Sequence, residues 1–404
     1  MLQNSNRIDL LSLLLLSLVS FCFSLFLSDT FPELIYKVWN LWFSSGTPRV
    51  FSNIRPDVNS VMRVHTHPLF SVIIKPVALL FSLVGIGTLN FCRFLLAFSG
   101  AVTTGALFSI LRSCRLSTFS SFLGSAVFIC SGAFVFWWSV LETFPIGAAV
   151  ITLVFFFISA NLKSKALWVL ATPLTFGLTV TNWVVCIIGV FQLFNRKKSI
   201  YILASGILLS AFLFILQTQY LISPTFELVD KVVKEQRFLI YPKNVENIPM
   251  FAEIYIKRAL VFCSSPAVVA QGRLEDVQVS DHEGVAYGFF DYSRIGWLAV
   301  VCWFSLLLRG ASNLFKSVEN PRLARTLFCF LSFEFILHLF YGDSPFLYCA
   351  HYATGLVIVA SCSLEGRHSR VFQVIALVFC ICALWSNLET FHDSIDMFIE
   401  ANKD

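Results

Sequence analysis

The stretch R-P-D-V-N-S-V-M-R-V-H-T-H-P-L-F, Arg55 to Phe70, places Asp57, Arg63, His65 and His67 in a polar run just after the first hydrophobic segment. An apolar segment, 68–84, follows and is interrupted by Lys75. Such a run is either a solvated loop or a site. Beside hydrocarbon, ionisable groups are costly unless they pair, reach water or do chemistry. The rest of the chain decides between the two readings.

Of 404 residues, 57% are hydrophobic and only 13% charged, with a mean hydropathy of +0.77. A soluble domain is about 45–50% apolar and about 25% charged. The chain therefore reads as an all-α polytopic membrane protein, with the lipid bilayer as its surroundings and no nucleic acid as partner. Its 44 phenylalanines suit lipid-facing helices. Nearly all twelve cysteines, among them Cys130, Cys186, Cys302 and Cys380, fall inside apolar runs with no C-x-x-C pair, and read as small buried hydrophobes. The chain has no N-x-S/T sequon, which favours a prokaryotic source.

Leu10 to Ser28 is apolar, long enough to span, and lacks an A-x-A-like cleavage site, so it reads as a retained anchor. The polar region 29–87 carries an amphipathic patch, Pro32 to Phe43, with Trp39 and Trp42, expected to lie along the interface. Nine further apolar runs begin at Thr88, Ser117, Phe144, Ala166, Ser199, Arg294, Arg325, Phe346 and Val371. The stretch 221–293 reads as a long polar loop. Three segments result: a transmembrane module 1–220 including the loop 29–87, a large outer loop 221–293, and C-terminal transmembrane helices 294–404.

Charge fixes the topology. If 68–84 is interfacial, and Ala166–Phe194 crosses twice with a turn at Thr179-Val180-Thr181-Asn182, then Arg7, Arg112, Arg115, Lys163, Lys165, the Arg196–Lys198 cluster, Arg309, Lys316, Arg322, Arg325, Arg367 and Arg370 share one face. That is the positive-inside pattern, with about eleven crossings and the amino terminus inside. Both polar loops then face outward. Asp57, His65, His67 and Lys75 meet Glu142, Asn182 and Asp343 on that outer face, with His351 one turn inside. Each has a plainer role open to it: Glu142 and Asp343 as helix-start and turn residues, Asn182 as a turn cap, His351 as a satisfied buried imidazole. Gathered at one mouth, they read as a site.

Several motifs occur in order. T-H-P-L-F-S-V-I-I-K-P carries His67 and Lys75; N-F-C-R-F-L-L-A opens the next crossing with Arg93; the basic pair L-R-S-C-R follows. F-W-W-S-V-L-E-T-F-P-I-G brings Glu142, and G-L-T-V-T-N-W brings Asn182. The series, over roughly residues 10–220, resembles the GT-C superfamily of membrane glycosyltransferases, particularly bacterial relatives of the protein O-mannosyltransferases. The resemblance implies a GT-C-like bundle with interfacial helices in its first outer loop. It implies transfer of a sugar from a polyprenyl-phosphate donor to a glycan, lipid or protein acceptor at the outer face of a bacterial inner membrane. Asp57 would be the base, Glu142 a second carboxylate, and Lys75 and Arg93 the cations at the lipid phosphate. His65, His67, Asn182 and His351 would contact substrate. The family's early acidic pair is absent here, so Asp29 competes with Asp57. No ligand spacing demands a metal, though a divalent ion is compatible. A polysaccharide polymerase or ligase, a transporter and a catalytically idle scaffold remain as other classes.

The charge asymmetry is testable by cysteine labelling in a cysteine-reduced background. A cysteine replacing Ser280 should react from outside and one replacing Ser113 should not; the reverse pattern inverts the topology.

Overall fold

The structure, a computed structural model, describes residues 7–37, 42, 45–58, 63–220, 248–270, 292–316, 320–342 and 345–401. Among them the regular elements are helices. They are α1 (Arg7–Asp29), α2 (Thr47–Ile54), α3 (Phe70–Leu83), α4 (Thr88–Ser113), α5 (Thr118–Ile129), α6 (Gly132–Trp137), α7 (Thr143–Ser159), α8 (Lys165–Leu178), α9 (Trp183–Leu193), α10 (Arg196–Tyr220), α11 (Ile248–Ser264), α12 (Arg294–Lys316), α13 (Pro321–Phe340), α14 (Cys349–Ser361) and α15 (Ser369–Ala401).

Among the described residues, seven helices are long and apolar enough to cross a membrane: α1, α4, α10, α12, α13, α15 and the α14 segment taken over Pro345–Leu364. Shorter apolar helices include α3, α5, α7, α8 and α9. The chain is a multi-pass membrane protein by these spans. At about 1.5 Å per residue, the 14 residues of α3 fall well short of a hydrocarbon core about 30 Å thick.

Every residue of α14 is buried, and this helix is the bundle's central post. Lipid tails are as apolar as leucine, so helices in a bilayer associate by close packing rather than by escape from water. Gly310 of α12 shows the requirement: a Cβ there would collide with the Val359 carbonyl and sit 3.1 Å from the Ala360 Cα. At the periphery, α1 packs on α4 through small polar residues, with Thr104 donating to Ser20 Oγ at 3.0 Å.

Three features depart from the sequence reading. The run from Ser117 to Trp138 is two helices, because the chain breaks at Cys130–Ser131, where the Ser131 hydroxyl caps α6. The break is satisfied by distant backbone: Gly132 N–H donates to the Ala267 carbonyl at 2.8 Å and Ala133 N–H to that of Pro266 at 2.9 Å. Asn387 of α15 completes the joint, donating to the Cys130 and Ala267 carbonyls and accepting from Val269 N–H. An apolar surrounding leaves no water for orphaned backbone groups, so a break there needs such partners. Second, the stretch read as a long polar loop contains α11, which packs on α13. Third, Trp42 is buried rather than interfacial, wedged against Phe31, Phe136 and Phe391 with its indole N–H on the Phe136 carbonyl. Trp39 and Asp343 lie outside the described residues.

The expected break in Ala166–Phe194 is present: α8 ends at Leu178, a 3-10 turn covers Val180–Asn182, and α9 follows. The bundle has two distinct ends. At one, Arg112 pairs with Asp9 at 3.0 Å, the Asn320 amide reaches the Ser159 carbonyl, and Arg322 donates to Asn161. At the other lie Asp29, Glu142, His67 and His338.

Gly310→Ala should destabilise the protein by about 1–3 kcal/mol, the usual cost of overpacking a tight contact. Thermal unfolding in detergent reads it, and an unchanged midpoint contradicts the close α12–α14 approach.

Candidate functional site

Glu142 is the residue around which this end is organised. It is the N-cap of α7, and its Oε2 accepts the Thr143 N–H at 2.9 Å. The positive end of a helix dipole favours a carboxylate there. Its Oε1 accepts the Gly46 N–H at 2.5 Å and an Arg49 guanidinium N–H at 3.3 Å, and Arg49 reaches Oε2 at 3.4 Å. Both side chains are almost wholly buried, 3% exposed for Arg49 and 1% for Glu142. Removing one partner of such a pair strands a charge and costs about 3–5 kcal/mol.

The pair lies on the wall of a 270 Å³ cavity lined also by Arg63, His65, His67, His338 and His351. The segment after Arg63 is fixed by the α8–α9 turn. Leu69 N–H donates to the Gly177 carbonyl and Val180 N–H to the Thr66 carbonyl. Gln217 of α10 clamps the start of α3, donating to the Pro68 carbonyl and accepting from Val72 N–H. Thus the H-P-L-F segment and the G-L-T-V-T-N turn, far apart in sequence, are hydrogen-bonded neighbours.

His67 is buried, with Nδ1 2.6 Å from the Leu178 carbonyl oxygen. A carbonyl only accepts, so Nδ1 carries the proton and Nε2 keeps its lone pair. Burial, then the Arg49 charge, holds this imidazole well below its ordinary 6.5, against the Leu178 contact, which pulls it up.

Other polar groups gather deeper. His338 Nε2 is 3.1 Å from Glu334 Oε2, and its ring stacks on Tyr348. Arg258 of α11, buried, donates to the His338 and Gly342 carbonyls and so closes the end of α13. Among the described residues, His351 Nε2, His338 Nδ1, Glu334 Oε1 and both amide atoms of Asn182 are buried without a hydrogen-bond partner. Asn182 and His351 flank the same point, 2.8 Å and 3.3 Å from where a Gly147 Cβ would stand.

A second cavity, 430 Å³ and almost entirely apolar, adjoins the first through His65 and Val180, which line both. Pro68, Phe176, Trp183, Ile207 and Ala211 form its walls.

The structure thus brings Glu142, His65, His67 and His351 to one cavity, with Asn182 beside it. It does not bring the others there. Asp57 is exposed and held bidentate by Arg55, which keeps its carboxyl below the usual range. Lys75 donates to the Val58 carbonyl and feels the Asp57 charge. Arg93 pairs with Asp29 at 2.7 Å, beside Tyr36. Three residues escaped sequence reading. Arg49 gave no signal in its polar loop. Glu334 and His338 did: E-x-x-x-H in an apolar run puts both on one helical face. Among the described residues no three His, Cys, Asp or Glu side chains stand together as a metal-binding set.

The neutral His67 has a consequence for pH. Below about 6.5 the unfolded chain takes up a proton that the folded protein refuses, so stability falls as pH falls, by up to about 1.4 kcal/mol per unit. His67→Gln should remove that share of the slope between pH 7 and pH 5 in thermal unfolding; identical slopes contradict the assignment.

Compared with models of known families, with curated proteins and with solved structures, the chain shows no match.

Proposed function

We propose that the chain is a glycosyltransferase that moves a sugar from a polyprenyl-phosphate donor to an acceptor hydroxyl at the outer face of a bacterial plasma membrane. The observation that carries this reading is the pair of neighbouring cavities that share His65 and Val180 in their linings. One carries a buried carboxylate–guanidinium pair and histidines in its lining; the other, of 430 Å³, is lined almost entirely by apolar side chains. An amphiphile with an anionic junction matches that shape. In this reading the prenyl chain lies against Phe176, Trp183 and Ile207, and the phosphate reaches Arg49 and Arg63.

The chemistry follows from the geometry. The acceptor oxygen attacks the anomeric carbon, the bond from that carbon to the phosphate oxygen breaks, and its electron pair leaves with the phosphate. Arginine suits the phosphate because its planar fork makes paired hydrogen bonds. Glu142, already accepting from Gly46, Arg49 and Thr143, is better suited to aim Arg49 than to take a proton. The acceptor's proton would pass to His67 Nε2, whose lone pair is fixed by the Leu178 contact. This shifts the base from Asp57, which stands outside the cavity. The crossing count of about eleven is part of the proposal: it requires α5, α7, α8 and α9 to cross and α3 to lie at the interface, with neighbours covering the short spans.

One observation favours a second reading. Glu334 and His338 are a buried ionisable pair within a membrane-spanning helix, which a proton-coupled transporter would use. Proton-driven solute uptake in proteoliposomes, abolished by Glu334→Gln, would establish that class instead.

Binding of a polyprenyl phosphate to the purified protein tests the main proposal. Ala211→Trp, which fills the apolar cavity, should abolish binding. Arg63→Gly should weaken it about tenfold without unfolding the chain, because Arg63 holds a positive φ of 53° that glycine adopts freely. Wild-type affinity in both variants refutes the site.

A further inference from the structure

The opposite end of the bundle holds a cavity of 410 Å³ that the proposed transfer does not use. It opens where α4 ends, between α12, the start of α13 and the segment after α14. Arg115, Arg309 and Arg367 line it, with Glu365, Asn313 and Leu314. Three arginines and one glutamate thus line one cavity. The glutamate's Oε1 already accepts the Ser117 N–H at 2.7 Å. Asn313 points its amide at the Cys362 and Glu365 carbonyls, which braces the segment carrying Arg367.

Two of the arginines are held in ways that packing alone does not require. Arg115 has a φ of +62°, a left-handed conformation that any side chain disfavours. It stands just past the end of α4. There Arg115 N–H donates to the Arg112 carbonyl and Leu116 N–H to the Leu111 carbonyl, a helix ending that glycine serves best. Strain at such a position marks a residue kept for its side chain. Arg309 donates one guanidinium N–H to the Arg367 carbonyl and lies 5.8 Å from the Phe372 ring centre. Its Nε is buried without a hydrogen-bond partner among the described residues.

The surroundings identify the kind of anion. Leu308, next to Arg309, is 73% exposed, and Val371, next to Arg370, is 55% exposed. Both belong to helices long and apolar enough to span, so their exposed faces meet lipid tails. A basic pocket at the ends of helices long and apolar enough to span stands level with lipid headgroups, and suits a phosphate that comes with acyl chains attached. We propose that this cavity binds the headgroup of an anionic glycerophospholipid from the leaflet at that end. The site is separate from the two neighbouring cavities of the Glu142 end and stands whether or not the glycosyltransferase reading does.

The full-length protein in neutral detergent tests it, with tryptophan fluorescence following thermal unfolding. Dioctanoyl phosphatidylglycerol should raise the unfolding midpoint saturably, while dioctanoyl phosphatidylcholine and inorganic phosphate at equal concentration should not. Arg115→Gly should unfold no earlier than wild type, since glycine relieves the left-handed position, yet bind phosphatidylglycerol about tenfold more weakly. Arg309→Gln should also lower the preference for phosphatidylglycerol over phosphatidylcholine, a ratio that a general loss of stability does not move. Equal midpoint shifts with the two lipids, or wild-type affinity in Arg115→Gly, would overturn the proposal. A shift with inorganic phosphate as large as with phosphatidylglycerol would overturn it in favour of a soluble phosphate compound.

Discussion

A single carboxylate ties the polar end of this bundle together. Glu142 accepts from the N–H that opens α7, from the Gly46 N–H ahead of α2, and from the Arg49 guanidinium within α2. Without it, Arg49 would be a cation buried among apolar helices, a state several kcal/mol less favourable than pairing. The ion pair therefore dictates where α2 sits against the start of α7. With α2 placed, the chain from Arg63 to Leu69 meets the α8–α9 turn, and a polar cavity is enclosed between them.

The same rule, that polar groups away from water must find partners, shapes the rest of the fold. The break between α5 and α6 is filled by the backbone of 265–269 and by Asn387 from the last helix. Arg258 closes the end of α13. These contacts draw 248–269 into the bundle, although the sequence reading included it in a long polar loop. Among the described residues, several buried polar atoms without a hydrogen-bond partner stand at or beside the Glu142 cavity, on Asn182, Glu334, His338 and His351. A buried polar atom left unpaired costs about 1–3 kcal/mol, so their gathering beside one cavity marks a place built to hold something polar.

Both cavities carry an arginine at positive φ, Arg63 at one end and Arg115 at the other. The two ends nonetheless differ in character. At the Glu142 end Arg49, Arg55 and Arg93 each pair with a carboxylate, whereas at the opposite end three arginines share a cavity with one glutamate.

Much of the architecture was legible in the chain itself. Hydropathy set the long spans, because a helix facing hydrocarbon must be apolar over its whole length. The polar tetrad Thr179–Asn182 marked the α8–α9 turn, the ordered motifs pointed to His67, Glu142 and Asn182, and the charge topology added His65 and His351. Composition could not separate Asp57 from Glu142. Both are acids placed on the same outer face, and only the tertiary contacts bury one beside Arg49 and leave the other exposed with Arg55. It also could not show that Lys75 and Arg93 turn to Val58 and Asp29, or that Ser117–Trp138 is broken. Periodicity and charge are local properties and are written in the sequence. Which charge meets which, and where an interrupted helix finds its missing hydrogen bonds, depends on residues far apart in the sequence, and that only the folded bundle decides.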